Sequence, residues 1–314
     1  MSPDAPLSSS TTIPSDPLPP KPSQNSTVLR HLYTLLYRYV IRLARKADAN
    51  ILRLSILLSK PAGTDALLCT VGYLLDLHST LLSRYLSRNL TATLTTKSDV
   101  VLPPTPLHIQ RLENIRVGSK ALASVISDFR IFVRLWGLVG IYTWARSTYT
   151  SPSLSSASTR TERVLRGITW TQVLAGIAFQ VLENGAYLAS KGVIWSDDEG
   201  KRKEVRWWVW SSRFWAAHVG LEFLRLGLEA RVRASTSRKE KEIVNDGEKE
   251  GKIRREDRRR ENWAWWRYAL SNVAYAPMTL HWSVEEGLLS DLGVSVLGTI
   301  AGGMLLVDKW KGTK

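Results

Sequence analysis

Residues 127–145, SDFRIFVRLWGLVGIYTWA, constrain the fold more than any other part of the chain. From Ile131 to Ala145 every residue is apolar or glycine except Arg134 and Thr143, and a helix with a face in water does not tolerate that pattern. The segment must be buried in protein or in lipid. Fifteen residues at ~1.5 Å rise make a rod of roughly 22 Å, short of the ~30 Å hydrocarbon core that a simple spanning helix crosses. A half-inserted helix, or one buried in a bundle, fits that length better.

The residues just upstream are two-faced. On a wheel of about 100° per residue, Leu112, Ile115, Leu122, Val125, Ile126 and Phe129 share one arc, while Glu113, Arg116, Lys120 and Arg134 gather on another. Arg111 and Ile109 do not fit the division. A basic amphipathic helix over 108–129 that runs into an all-apolar one has the form of a segment entering a membrane from its surface. The competing reading is a long core helix with one solvated edge.

Composition bears on that choice. A formal charge of +15 on 314 residues calls for an anionic partner, either nucleic acid or the cytosolic face of a bilayer. Thirteen tryptophans against five phenylalanines favour the bilayer, because indole rings collect at the headgroup level. With Cys69 as the single cysteine, no internal disulfide forms, and a thiol in an apolar run reads as inert. Residues 1–27 are rich in Ser, Pro and Thr without an apolar stretch, so they read as a disordered tail and not as a signal peptide.

A second basic amphipathic helix is expected at 28–47, continuing over 51–59. Leu29, Leu32, Leu36, Tyr39, Val40, Leu43, Ala47, Ile51, Leu54 and Leu58 share a face, with Arg30, Arg38, Arg42, Arg45 and Arg53 off it. Pro61 should end it, and Thr64 is placed to cap the next helix, with Asp65 set against its dipole. Residues 66–90 read as a mostly buried helix, and 91–106, with its PPTP cluster, as irregular chain.

Residues 147–161 form a Ser/Thr-rich linker between an N-terminal helical region, 28–146, and a second region, 162–233. In the latter, the uncharged run 167–182 is a short membrane-embedded candidate with Glu183 at its boundary. Trp207, Trp208, Trp210 and Trp215 beside basic residues suggest an interface anchor. The charge run 234–261 reads as a solvated linker, and 262–314 holds the C-terminal helices. Within them, 288–307 has the length to span and carries one charge, Asp291, near an end; it is the strongest transmembrane signal in the chain. Gly298 and Gly302 form a GxxxG pair, a device for close helix approach that points to self-association.

No catalytic constellation is legible. There is no GxxxxGK[ST], no GxSxG and no HExxH, and the five histidines are scattered, so no cofactor or metal is expected and the chain reads as not an enzyme. No nucleic-acid module is legible either, and the aromatics stand in long helices instead of on a stacking platform. Nucleic acid is therefore not an expected partner, and a basic nucleic-acid-binding helical protein is kept only as a competing reading.

Two stretches carry a family resemblance. LRLSILLSKPAGTDALLCTVGYLL, residues 52–75, and SKALASVISDFRIFVRLWGLVGIY, residues 119–142, resemble the peroxin 11 family, peroxisomal membrane proteins that elongate and proliferate the organelle. The likeness is nearest to the divergent type C members of filamentous fungi. It implies a peroxisomal location, self-association, contact with the fission machinery and, alternatively, a pore for small metabolites. The long Pro-rich N-terminal extension and the insert at 234–261 depart from the family pattern. The expectation is an all-α, membrane-associated helical bundle with amphipathic surface helices and one to three membrane-embedded helices. Its partner is an anionic phospholipid membrane. Leu112, Ile115, Leu122, Ile126 and Phe129 would enter the cytosolic leaflet, with Arg116, Lys120, Arg130 and Arg134 meeting phosphates or, for the two last, carboxylates such as Asp65, Asp76 or Glu183.

Overall fold

The computed structural model describes residues 24–95, 107–151, 160–195, 197–243 and 248–313. These form α1 (Gln24–Leu58), α2 (Pro61–Thr95), α3 (Leu107–Val133), a 3-10 turn (Arg134–Trp136), α4 (Gly137–Thr150), α5 (Arg160–Ser190), α6 (Asp198–Ile243), α7 (Glu248–Trp282) and α8 (Asp291–Lys311). Among the described residues there is no strand, so the all-α expectation holds. The tail expected at 1–27 lies outside the described residues up to 23.

The chain divides between Leu52 and Arg53 into two units. The described part of the first is α1 up to Leu52. Its stripe of Leu29, Leu32, Leu36, Tyr39, Val40 and Leu43 is exposed along its length.

The second unit is an antiparallel helical bundle in which each helix finds its neighbour through side chains whose numbering runs in opposite directions. On α2 and α3, Asp65 meets Arg130, Asp76 meets Lys120, and Ser79 donates to the Arg116 carbonyl. On α2 and α8, Cys69 and Thr70 face Gly302, and Tyr73 faces Gly298. On α7 and α8, Arg267 meets Asp308 and the Ser271 hydroxyl donates to the Ala301 carbonyl. The same opposition joins α6 to α7 and α5 to α6, while α4 and the 3-10 turn return to α5. The neighbour order α3, α2, α8, α7, α6, α5, α4 therefore closes on itself through the turn at Arg134–Trp136.

Several local expectations change. Pro61 does not merely stop α1; it opens α2 at the first-turn position where its missing amide is harmless. Thr64 donates to the Leu58 carbonyl at 2.9 Å, so it satisfies the end of α1 instead of capping α2. The apolar rod expected over 127–145 is broken by the 3-10 turn. The linker expected at 147–161 is α4 up to Thr150 and α5 from Arg160, with 152–159 outside the described residues. The charged stretch 234–261 is helical up to Ile243 and again from Glu248, because lysine, glutamate and arginine are good helix formers even where nothing apolar is present. Residues 91–95 continue α2, and the rest of the 91–106 stretch, up to 106, is outside the described residues.

Among the described residues, two helices are long and apolar enough to cross a membrane: the Pro61–Asn89 part of α2 and the whole of α8. The second matches the expected span at 288–307, shifted because Ser290 caps the helix by accepting from the Gly293 amide. The first was read from sequence only as a buried helix. The run 167–182 lies in α5, which is not one of the two.

Gly298 and Gly302 make the close approach that GxxxG implies, but to α2 of the same chain. A Cβ at Gly298 would enter the Tyr73 ring, and one at Gly302 would sit 3.1 Å from the Thr70 amide. That face of α8 is occupied, so it is not open to a second copy, and the self-association expected through these two residues is corrected to an internal contact. Gly298→Ala should lower the melting temperature of the detergent-solubilised protein more than Gly302→Ala, with the oligomeric state by light scattering unchanged in both. An altered oligomeric state with unaltered melting would reverse the assignment.

Candidate lipid-facing surface

The apolar arc of α3 is split along its length. Ser119 and Ala123 are buried, with Ser119 bonded to the His78 ring at 3.0 Å and Ile126 filling the space above Gly72. Small residues at 119 and 123 let α3 lie close on α2. Leu112 and Ile126 are half-buried at the edge of this contact, whereas Ile115, Leu122, Val125 and Phe129 face outward. On either side of the turn and within it, Phe132, Val133, Trp136, Val139 and Tyr142 add exposed apolar surface. Of the predicted lipid set, Ile115, Leu122 and Phe129 are thus together and free, and Leu112 and Ile126 are partly used within the bundle.

The four predicted cations each hold a carboxylate. Arg116 pairs with Glu113 one turn away, Nε to Oε2 2.8 Å, and this hydrogen bond holds the Glu113 carboxyl below the usual range. Lys120 reaches Asp76 at 2.8 Å with its own side chain 63 % exposed; a pair this wet contributes about 0–1 kcal/mol and is easily exchanged for a phosphate. Arg130 is different. It is only 16 % exposed and grips Asp65 at 2.8 Å. Asp65 and Glu183 were among the expected carboxylate partners of Arg130 and Arg134, and Asp76 instead serves Lys120.

Arg134 and Glu183 form the polar clasp behind the surface. Two guanidinium nitrogens meet the two carboxylate oxygens at 2.9 and 2.8 Å, and Glu183 is 7 % exposed. The next residue on α5, Asn184, donates to the Leu135 carbonyl at 3.1 Å and accepts from Gln180 at 2.7 Å. Gly137 leaves room for the Gln180 amide, which any Cβ there would strike. The rod breaks at Arg134–Trp136 because α5 supplies side chains that take up the backbone and charge of that turn, a common origin of 3-10 geometry within a helix.

Many of the buried positions in the compact unit hold small side chains, beside larger ones at Leu57, Val173, Tyr187, Val219, Leu226 and Met278. Ala66, Cys69, Thr70, Ser79, Ala175, Ala186, Ser211, Ala269, Ser271, Ala274, Ser295 and Ala301 are buried, while Leu74, Leu81, Leu122, Val125, Leu174, Leu224, Leu270 and Val273 face outward. The tryptophans divide in the same way. Trp215 stacks on Trp282 at 5.6 Å, Trp207 meets Trp195 edge-on at 4.9 Å and covers Gly185, and Trp208 is half-buried. Of the four expected anchors only Trp210 is exposed, with Arg213 over its ring at 4.8 Å. Trp136, Trp263 and Trp266 are the other strongly exposed indoles.

Sequence reasoning missed a second polar group inside the bundle. Gln172 of α5 donates to Glu222 of α6 at 2.7 Å, and Arg225 lies 3.4 Å from Glu222 and 3.3 Å from Glu229. Glu222 is 2 % exposed. The signal was a glutamate within the largely apolar stretch 214–224 of α6, visible only once α5 and α6 are paired. Among the described residues no group of His, Cys, Asp or Glu is arranged to hold a metal.

No protein-family model matches the chain, and no solved structure does. It is similar to a protein of Schizosaccharomyces pombe (strain 972) described as uncharacterized, 27 % identical over 194 residues, which are 61 % of this chain and 77 % of that protein. That similarity carries no activity with it.

Removing one partner of the clasp leaves a buried charge unpaired, an effect of about 3–5 kcal/mol. Arg134→Leu should therefore lower the melting temperature of the detergent-solubilised protein by several degrees. The double variant Arg134→Leu/Glu183→Leu should recover most of the loss, and a double variant as unstable as the single one would show that the pair is not the source.

Proposed function

We propose that this chain is an integral protein of the peroxisomal membrane that elongates the organelle and promotes its fission by inserting amphipathic helix into the bilayer. The observation that carries the reading is the distribution of side chains: many of the buried positions hold small residues, while a large number of leucines, valines and aromatics stand outside. A water-soluble bundle is driven together by burying its large apolar groups, whereas helices in lipid associate through close packing of small ones. Two helices of spanning length, α2 and α8, packed against each other, agree with it.

The organelle and the process are drawn from the resemblance to the peroxin 11 family in residues 52–75 and 119–142. Because α3 runs antiparallel to α2 over residues 116–130, it does not lie flat on a leaflet where α2 crosses. Its free strip of Ile115, Leu122, Val125 and Phe129 instead faces acyl chains from the side of the bundle. Extra helix held in this way adds area to the membrane unevenly with depth, and the imbalance is relieved by curvature.

The test is direct. The full chain, reconstituted in anionic liposomes, should resist alkaline carbonate extraction and draw the vesicles into tubules. Leu122→Glu/Phe129→Glu, which leaves the α2 contact alone, should strongly reduce tubulation. Tubules formed equally well by the variant would remove α3 from the mechanism, and a chain released by carbonate would end the integral-membrane reading.

A further inference from the structure

We infer that α1, and not α3, is the segment that reads lipid headgroup charge: its apolar stripe is a seat for one leaflet of an anionic phospholipid membrane. The starting observation is a contrast between the two basic amphipathic helices. The four cations expected to meet phosphate on α3 and the turn after it each face a carboxylate of the chain, Arg116 with Glu113, Lys120 loosely with Asp76, Arg130 with Asp65 and Arg134 with Glu183. On α1 no described carboxylate lies against Arg30, Arg38, Arg42, Arg45 or Lys46. Five cations stand against the single acid Asp48 in residues 28–52.

The stripe has the anatomy of an interfacial helix. Leu29, Leu36, Val40, Leu43 and Ala47 fall within a narrow arc, with Tyr33 and Tyr37 on one flank and Tyr39 on the other. Leucine reaches acyl chains while phenol hydroxyls rest among headgroups. Arg38, Arg42 and Arg45 lie on the opposite side and Arg30 and Lys46 near the borders, where long side chains extend to phosphate. Positive charge on such a helix adds attraction to an anionic surface that falls off within a Debye length. A self-associating seam offers nothing for five unpaired cations, and a bundle-like protein partner would satisfy the stripe and not the charge; anionic lipid satisfies charge and stripe together. The inference rests on the membrane reading above in that the chain must be held at a bilayer for α1 to meet it.

The experiment uses the full chain in proteoliposomes, with Cys69→Ser so that one introduced cysteine carries a nitroxide. Leu36→Cys places the label on the stripe and Thr34→Cys places it on the polar side. In phosphatidylcholine vesicles containing a third phosphatidylserine, the label at 36 should be several-fold less accessible to a water-soluble nickel chelate than the label at 34, and more accessible to oxygen. In phosphatidylcholine alone, and in Arg38→Gln/Arg42→Gln/Arg45→Gln in the anionic vesicles, that difference should collapse.

A label at 36 that is open to the chelate in anionic vesicles overturns the proposal. So does one shielded regardless of lipid charge, with dipolar broadening between labels, because a second copy then covers the stripe. Labels that respond to lipid charge in a protein that does not tubulate vesicles would leave this inference standing and remove the organelle-shaping function; tubulation without the response would do the opposite.

Discussion

Everything in the compact unit depends on how closely its helix backbones approach. Tyr73 lies where any side chain at Gly298 would be, and Cys69 and Thr70 of α2 meet Gly302 of α8. Contacts of this kind gain dispersion energy and little from the removal of apolar surface from water. In an aqueous setting, each large apolar side chain left outside forfeits about 1.5–3 kcal/mol of the stabilisation that burial supplies, and such side chains are outside on most helices of the bundle. The packing is therefore economical only where the surroundings are themselves apolar. The membrane reading follows from this balance and not from hydropathy alone, since among the described residues α2 and α8 alone have the hydropathy of spans.

Against that background the ion pairs have a specific role. A guanidinium held in an apolar bundle must keep its charge and so must keep a carboxylate. The pairs Arg130–Asp65, Arg134–Glu183 and Arg267–Asp308 each join two different helices. Their net contribution to stability is small, because desolvation offsets attraction, but mismatched registers leave charges unpaired and are heavily penalised. Small residues permit close approach at many registers along a helix; the ion pairs select one. Glu222, bonded by Gln172, does the same for α5 and α6.

The helical class, the amphipathic character of α1 and α3, and the C-terminal span were legible because periodicity and length are local properties. So was the demand of Arg130 and Arg134 for carboxylates, since burial of a cation implies an anion nearby. Asp76 was assigned elsewhere because choosing among Asp65, Asp76 and Glu183 requires the antiparallel register of α2 and α3. The break at Arg134–Trp136 left no mark in local propensity; Gln180, Glu183 and Asn184, more than forty positions away in the chain, create it. The glycine pair of α8 announced a close neighbour without saying which. The span in α2 was read only as a buried helix, because Asp65, Asp76, Arg84 and Arg88 argue against lipid while burial in protein and in lipid leave the same apolar pattern.

The two basic helices show why amphipathicity alone does not identify a lipid-binding surface. By sequence pattern α3 is the more persuasive of the two, since it runs directly into the most apolar stretch of the chain. Lys120 and Arg130, however, face carboxylates of α2 and Arg116 faces Glu113 of α3 itself, and Leu112 and Ile126 of the apolar arc are partly taken up within the bundle. A helix whose cations mostly face carboxylates within the chain presents less free charge to a headgroup, while its remaining apolar strip still responds to acyl chains. On α1 both halves of the pattern remain unspent. The distinction between binding lipid through hydrocarbon and sensing lipid through charge thus falls on two different helices, and the pairing of each cation, more than its presence, decides which is which.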